Sequence, residues 1–324
     1  MGLRRLAPPV PGVGSGRWTA ASSRTSTWTR STCRSRCCDG RPQAILVPPD
    51  FTVYREASRR VWDLVRAAVA VVEQAGLDEG YLDLSGLVAP KAAMRRLMAD
   101  LRERTGLGAS VGIGPNKLVA KIASDCEKPG GLVALSREMA CQRFAAASPR
   151  LLPGIGPKTA ERLEGMGIAA IGQLRDRPAT DLRTAFGQRQ AAFLQARARF
   201  EDDGAVAPIR ETKSQSSETT FDRDLADRAE QQRVIERLSA DLCRRLQRRE
   251  LAGRTVGIKV RLDDWTTVTR ARTLDDPVND VAVVTAVARE LLAAYDPPRP
   301  VRLLGVRVAG FDAALDASQL RLAV

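Results

Sequence analysis

Leu77-Asp78-Glu79-Gly80-Tyr81-Leu82-Asp83 places two adjacent carboxylates at the mouth of an apolar strand. Further along come Ser110-Val111-Gly112-Ile113-Gly114-Pro115-Asn116-Lys117, then Lys121, then Lys128-Pro129-Gly130-Gly131. Carboxylates leading into a strand can hold a hard divalent cation, and lysines on the next helix can meet the phosphates that this cation neutralises. That pairing is the chemistry of nucleotidyl transfer. Such transfer needs carboxylates that set two cations a few ångströms apart, one at the attacking hydroxyl and one at the triphosphate. Asp78 and Glu79 are the convincing candidates for the catalytic, metal-ligating role; Asp83, two strand positions beyond Tyr81, reads as structural or exposed. A helix opened by Asn116 puts Lys117 and Lys121 on one face by four-residue spacing. Pro129 argues against that helix reaching Lys128, which reads as a loop lysine reaching inward. Either half alone reads first as an exposed acidic turn or a solvated helix face. Both in this order, followed by a phosphate-binding hairpin, favour the site.

Outward from this core the texture alternates. Ala44-Ile45-Leu46-Val47 is strand-like and Pro48-Pro49-Asp50 turns. Tyr54 to Val72 is apolar at helical spacing through Val61, Leu64, Val65, Ala68 and Val72. A strand at Tyr81 to Leu84, a helix from about Lys91 to Arg104 and a strand at Ser110 to Gly114 continue the pattern, giving a first domain over residues 43–148 that ends in a helix around Arg137 to Ala147.

Leu151-Leu152-Pro153-Gly154-Ile155-Gly156-Pro157-Lys158 then matches a helix-hairpin-helix turn. Its glycines permit a tight turn and bare N–H groups at a helix start, where a DNA phosphate binds without regard to base sequence. Gly154, Gly156 and Lys158 are the DNA-binding candidates, and the competing reading is a plain turn between core helices. Short helices run to about Phe200, and Glu201 to Lys213 reads as a linker. Residues 214–313 read strand, helix, two strands, helix, strand. The helix from Ala226 to Leu251 is rich in arginine. In the next strand Val256, Ile258, Val260 and Leu262 take one face, and Thr255, Gly257, Lys259 and Arg261 the other. Arg270 and Arg272 share a face of the following strand. Lys259, Arg261, Arg270 and Arg272 are candidate phosphate contacts, although such a pattern alone is as often a solvated face.

Composition agrees. The chain has 324 residues and is 44% hydrophobic, enough for two or three cored domains. A net charge of +13 points to a polyanionic partner, nucleic acid ahead of an anionic membrane. No apolar run suits a bilayer span or a secretory signal, so a cytoplasmic protein without membrane contact is expected. Six cysteines at irregular spacing and no histidine argue against zinc or a disulfide framework.

From about Gln43 to Phe311 the chain resembles a Y-family translesion DNA polymerase of the bacterial DinB, or DNA polymerase IV, type. Leu77 to Asp83 looks like the family's S-x-D-E-A-Y-L-D palm motif, and Val111 to Asp125 with Lys128-Pro129-Gly130-Gly131 is similar to its second palm signature. Ser214 to Phe221 resembles its opening little-finger strand. The resemblance implies an α+β multidomain fold: a partial right-hand palm, a helix-hairpin-helix thumb over 149–200, and a βαββαβ little finger that grips duplex DNA. It implies that Asp78 and Glu79 ligate two magnesium ions, that Lys128 contacts the incoming deoxynucleoside triphosphate, and that primer-template DNA is the partner. A monomer is expected. Gln319-Leu320-Arg321-Leu322, in a tail over 314–324, only faintly resembles a sliding-clamp peptide, lacking its final aromatic.

Members of the family begin with a strand reading roughly H-V-D-M-D-A-F-Y-V-S-V, whose first aspartate is a metal ligand, followed by fingers containing Y-E-A-R. Neither text appears here, which leaves two side-chain carboxylates where the family has three. Residues 1–42 are rich in Arg, Ser and Thr instead. Around Arg24 to Ser35 a shifted reading frame permits the missing motif, and Trp28 followed by any threonine codon forces an aspartate at its second acidic position. A frame-shifted palm start is one reading of this segment; a natural Arg/Ser-rich tail or organellar presequence is the other. The functional expectation is template-directed, error-prone DNA synthesis past lesions. The alternatives are a catalytically inactive fragment that binds primer-template without extending it, and a helix-hairpin-helix repair accessory protein, which would leave Asp78, Glu79 and Lys128 unexplained.

Overall fold

The computed structural model describes residues 49–208 and 211–311. The strand expected at Ala44–Val47, the segment 1–42 with its frame-shift reading, and Gln319–Leu322 all lie outside the described residues. The chain divides into two units, one up to Arg210 and one from Glu211.

The first unit opens with α1 (Phe51–Ala68), capped by Asp50, whose carboxylate accepts from the amides of Thr52 and Val53. The helix stops at Val69, short of the expected Val72, because Val69 turns extended and Val72 starts a strand. That strand, β1 (Val72–Gln74), forms an antiparallel hairpin with β2 (Gly80–Leu82), pairing Glu73 with Tyr81. Helix α2 (Pro90–Thr105) follows and ends on Gly106 in the left-handed region. Then come β3 (Val111–Ile113), α3 (Lys117–Cys126), β4 (Leu132–Ala134) and α4 (Arg137–Arg143), with β3 and β4 parallel and α3 the crossover that such pairing needs. Among the described residues each of these two sheets has two strands.

Two cores hold this unit. Trp62, Val65, Leu82, Leu84, Met94, Leu97, Val111 and Ile113 make one. The other joins Leu118, Val119, Ile122 and Ala123 of α3 to Leu152, Ile155, Leu163 and Phe200. Strand β4 is shared by period-two alternation, with Leu132 and Ala134 facing the first core and Val133 and Leu135 the second. Residues on both sides of position 148 share that second core, which begins at α3. Gly112 is the point of closest approach: a methyl group built on it would overlap the carbonyl oxygen of Ala120 and the amide of Ser124, so α3 lies directly on β3.

After a single 3-10 turn at Pro149–Leu151 come α5 (Pro157–Gly165), α6 (Ile171–Asp176), α7 (Ala179–Phe186) and α8 (Gln188–Ala198). The second unit runs β5 (Ser214–Leu225), α9 (Arg228–Gln247), β6 (Gly253–Leu262), β7 (Thr267–Val278), α10 (Val281–Tyr295) and β8 (Val301–Phe311). The antiparallel sheet has the order β5-β8-β6-β7. Val256, Ile258, Val260 and Leu262 are buried with Ile235, Leu238 and Leu242 of α9 and Val284 and Ala288 of α10, as the alternation in β6 requires. The βαββαβ order read from sequence is the one found. Among the described residues no helix is long and apolar enough to cross a membrane.

Candidate active site and nucleic-acid interface

The turn from β1 to β2 is fixed from two directions. Its own amides close it, with Ala75 and Gly76 both donating to the carbonyl of Glu79 at 3.0 and 2.9 Å. From α1, the indole of Trp62 donates to the carbonyl of Leu77 at 3.1 Å, and the buried Ser58 hydroxyl donates to the same oxygen. Two side chains of one helix thus hold the backbone just ahead of Asp78. Sequence reading missed Ser58 and Trp62, because a serine and a tryptophan one helical turn apart look like ordinary packing.

Asp78 and Glu79 flank Gly76: a methyl group there would sit 3.9 Å from Asp78 Oδ1 and 3.6 Å from Glu79 Cγ. Asp78 lies in the bend of this turn and Glu79 at the bridge that leads into β2, and the two carboxylates have different neighbours. Asp78 lines a cavity of about 680 Å3 with Phe51, Tyr54, Ser110, Pro129 and Gly130. Ser110 receives the Gly130 amide at 2.9 Å, so the loop that carries Lys128 forms a wall of the cavity that Asp78 enters. Glu79 turns to α3, where Lys121 Nζ lies 3.1 Å from its Oε2. Asp83 accepts from the amide of Ser85 at 2.9 Å and from its hydroxyl, and so caps a turn.

Helix α3 starts as expected, with the Asn116 side chain accepting from the Val119 amide at 2.9 Å while its Nδ2 donates to the Phe200 carbonyl. Lys117 and Lys121 do share a face. Lys117 Nζ lies 2.8 Å from Glu73 Oε2 and 5.4 Å from the centre of the Tyr81 ring. Lys121 also approaches Asp125 at 3.8 Å. The helix ends at Cys126, and Lys128 is a loop residue whose ammonium pairs with Asp125. Burial, reinforced by Glu79 and Glu73, raises the Tyr81 phenol above its ordinary value. Glu73 was not singled out from sequence; its position opposite Tyr81 in the hairpin register is the signal that would have found it. Among the described residues no group of three or more His, Cys, Asp or Glu is placed to hold a metal ion. Two neighbouring carboxylates remain a donor set suited to magnesium, which keeps much of its shell in water and substrate phosphate.

In the hairpin turn Gly154 has a φ of 95°, and a methyl group on it would stand 2.6 Å from Phe193 Cζ. Leu152 and Ile155 are buried on either side. Gly156 begins α5 without a side-chain cap and Pro157 lacks an N–H, so the amides of Lys158 and Thr159 lie at an uncapped helix start, the arrangement that takes an anion. Lys158 is exposed.

In the second unit the candidate cations divide. Lys259 and Arg261 lie on the sheet face away from the helices, where Lys259 meets Glu218 at 3.0 Å and the Arg261 guanidinium lies 5.6 Å from the Trp265 ring centre. Arg270 and Arg272 pair in register with Ile258 and Val256, which are buried on the helix side. Accordingly Arg272 pairs with Glu290 of α10 at 2.5 Å, and Arg270 lies 5.3 Å from the Tyr295 ring. The structure does not bring these four residues onto one face. The open face otherwise carries the small residues Thr255, Gly257, Thr269, Ala271 and Gly305, with Arg307 as a further cation beside Gly257.

Comparison with known proteins gives matches along the chain. Residues 25–125 match the impB/mucB/samB family, residues 212–322 that family's C-terminal domain, and residues 150–202 a thumb domain described for DNA polymerase-iota. The first match begins ahead of Gln43. A protein named DNA polymerase IV from Streptomyces coelicolor is 38% identical over 275 residues, covering 83% of this chain and 57% of its own length. Proteins of the same name from Gluconobacter oxydans and Alkalilimnicola ehrlichii are 36% and 40% identical, and the matches span 78% and 77% of their lengths. A solved Y-family DNA polymerase chimera of Dbh and Dpo4 has the same fold, with a TM-score of 0.74 at 23% identity over 85% of this chain and 81% of that one.

Proposed function

This chain belongs to the impB/mucB/samB family, the Y-family DNA polymerases of the DNA polymerase IV type, and from that membership we propose that it adds deoxynucleotides to a primer 3′ end opposite damaged template bases. One observation carries the reading at the level of residues: Ser58 and Trp62 hold the Leu77 carbonyl, which presents Asp78 to the cavity walled by Pro129 and Gly130 while Glu79 faces the lysines of α3. Asp78 and Glu79 would hold magnesium ions. Bound there, magnesium would neutralise phosphate charge and activate the attacking hydroxyl.

Lys128, beside that cavity, binds the triphosphate of the incoming nucleotide. Lys158 and the uncapped amides that follow Gly154 and Gly156 hold the DNA backbone without reading its bases. Lys259 and Arg261 meet further phosphates from the open sheet face of the second unit. The reading places the protein in the cytoplasm as a monomer acting on primer-template DNA and deoxynucleoside triphosphates. A sliding clamp joins these partners only on the strength of Gln319–Leu322, outside the described residues.

Primer extension on undamaged and abasic templates with magnesium tests the proposal, run beside DNA binding across a salt series on the same preparation. Extension on both templates that is lost in the Asp78→Asn, Glu79→Gln double variant supports it. Salt-dependent binding without a single added nucleotide would reduce the chain to a DNA-holding fragment.

A further inference from the structure

We propose that Lys121 is an internal counter-ion for Glu79, which a divalent cation must displace in order to bind. The inference rests on the metal-binding reading of Asp78 and Glu79 given above and concerns what occupies that carboxylate beforehand. Lys121 Nζ lies 3.1 Å from Glu79 Oε2, within ion-pair reach, so the carboxylate's charge is already answered by an ammonium. The ammonium is well covered, its side chain 27% exposed, in a small pocket formed with Ala75, Tyr81, Ala120 and Ser124. It projects from a helix that Gly112 holds tightly on β3, so it stays opposite the hairpin.

A second acceptor stands ready. Asp125, one helical turn on, lies 3.8 Å from Lys121 and is already paired with Lys128. An ion that takes Glu79 leaves Lys121 to Asp125, and Asp125 then has less hold on Lys128, the lysine placed to meet phosphate. Filling of the cation site and the sharing of Asp125 between Lys121 and Lys128 become one exchange of partners at the end of α3. Lys117 takes no part, because Glu73 holds it more deeply, both side chains being under one-fifth exposed.

Manganese binding to the nucleotide-free full chain, read by the electron paramagnetic resonance signal of unbound Mn2+, tests this without any catalytic readout. In Lys121→Met the site loses its competitor, and the dissociation constant falls about two- to tenfold, the scale of a partly exposed ion pair. Lys121→Gln gives the same direction, and adding Glu79→Gln to either variant abolishes the gain. An unchanged or weaker affinity in both Lys121 variants, with circular dichroism matching the parent, means the lysine merely props the hairpin and overturns the proposal. A parent chain that binds no Mn2+ overturns the metal reading of Asp78 and Glu79, and this inference with it.

Discussion

Lys117 and Glu73 meet at 2.8 Å with both side chains less than one-fifth exposed, and the same Glu73 oxygen accepts the backbone amide of Ala207 at 2.9 Å. One carboxylate therefore ties the hairpin that carries Asp78 and Glu79 to α3 and to the segment following α8. A covered pair of this kind loses most when one partner is removed, because the other is left charged and desolvated. Lys117→Met and Glu73→Gln should each cost about 1 to 3 kcal/mol in urea denaturation. The double variant should cost less than the two together. Strict additivity would show that the two groups do not interact.

Asp78→Asn and Glu79→Gln should each lower primer extension about a hundredfold or more, since each removes charge at the reacting phosphates. Affinity for primed DNA at fixed salt should change less than threefold, because the proposed backbone contacts at Lys158, Lys259 and Arg261 lie elsewhere. Loss of both properties together would mark a folding defect, which thermal melting detects.

Gly154→Ala should destabilise the chain by about 1 to 3 kcal/mol, since the new methyl group meets Phe193 and the backbone stays in the left-handed region. Lys158→Ala at the same turn should leave stability unchanged and weaken DNA binding equally for all sequences, lowering the slope of log affinity against log salt by about one. Equal stability of Gly154→Ala and parent would contradict the packing described.

Lys259→Ala and Arg261→Ala should each lower that salt slope, whereas Arg272→Ala, whose guanidinium is engaged with Glu290 on the helix side, should barely move it. Fluorescence anisotropy with a labelled duplex from low to high salt separates the two outcomes. An Arg272 effect as large as that of Lys259 would place DNA across the sheet edge.

Burial, and secondarily Asp280, pushes the Cys243 thiol up to about 11. A folded-state value above the ordinary thiol value favours the neutral form, so the associated stability is present at neutral pH and is lost as pH rises through that value. The urea midpoint should fall between pH 9 and 11, and less steeply in Cys243→Ala. In the native protein at pH 8, Cys243 should resist alkylation.

Much of this was legible from residues alone. Asn116 capping α3, the end of that helix before Lys128, and the alternation of β6 follow from local chemistry, and each is found where the spacing puts it. Local chemistry did not show Glu73, whose importance comes from strand register and from Ala207, distant in sequence. Nor could it show that Asp78 and Glu79 face different surroundings, or that Arg270 and Arg272 lie on the helix side of their sheet, since pairing with β6 decides that face. The positive charge is unevenly spread along the chain: residues 1–48 carry eight arginines against Asp39 alone, so the described domains are closer to neutral than +13 suggests.

The seat of α3 on Gly112 has a kinetic consequence. A helix pressed against bare backbone has no slack to slide or tilt, so traffic in charge among its lysines must proceed by rotation about side-chain bonds, on picosecond to nanosecond scales. Loading the cleft should therefore register in lysine side-chain resonances while amide exchange along 117–126 stays as slow as before. Any larger residue at 112 would lever the helix away and turn that rigid keyboard into a loose one.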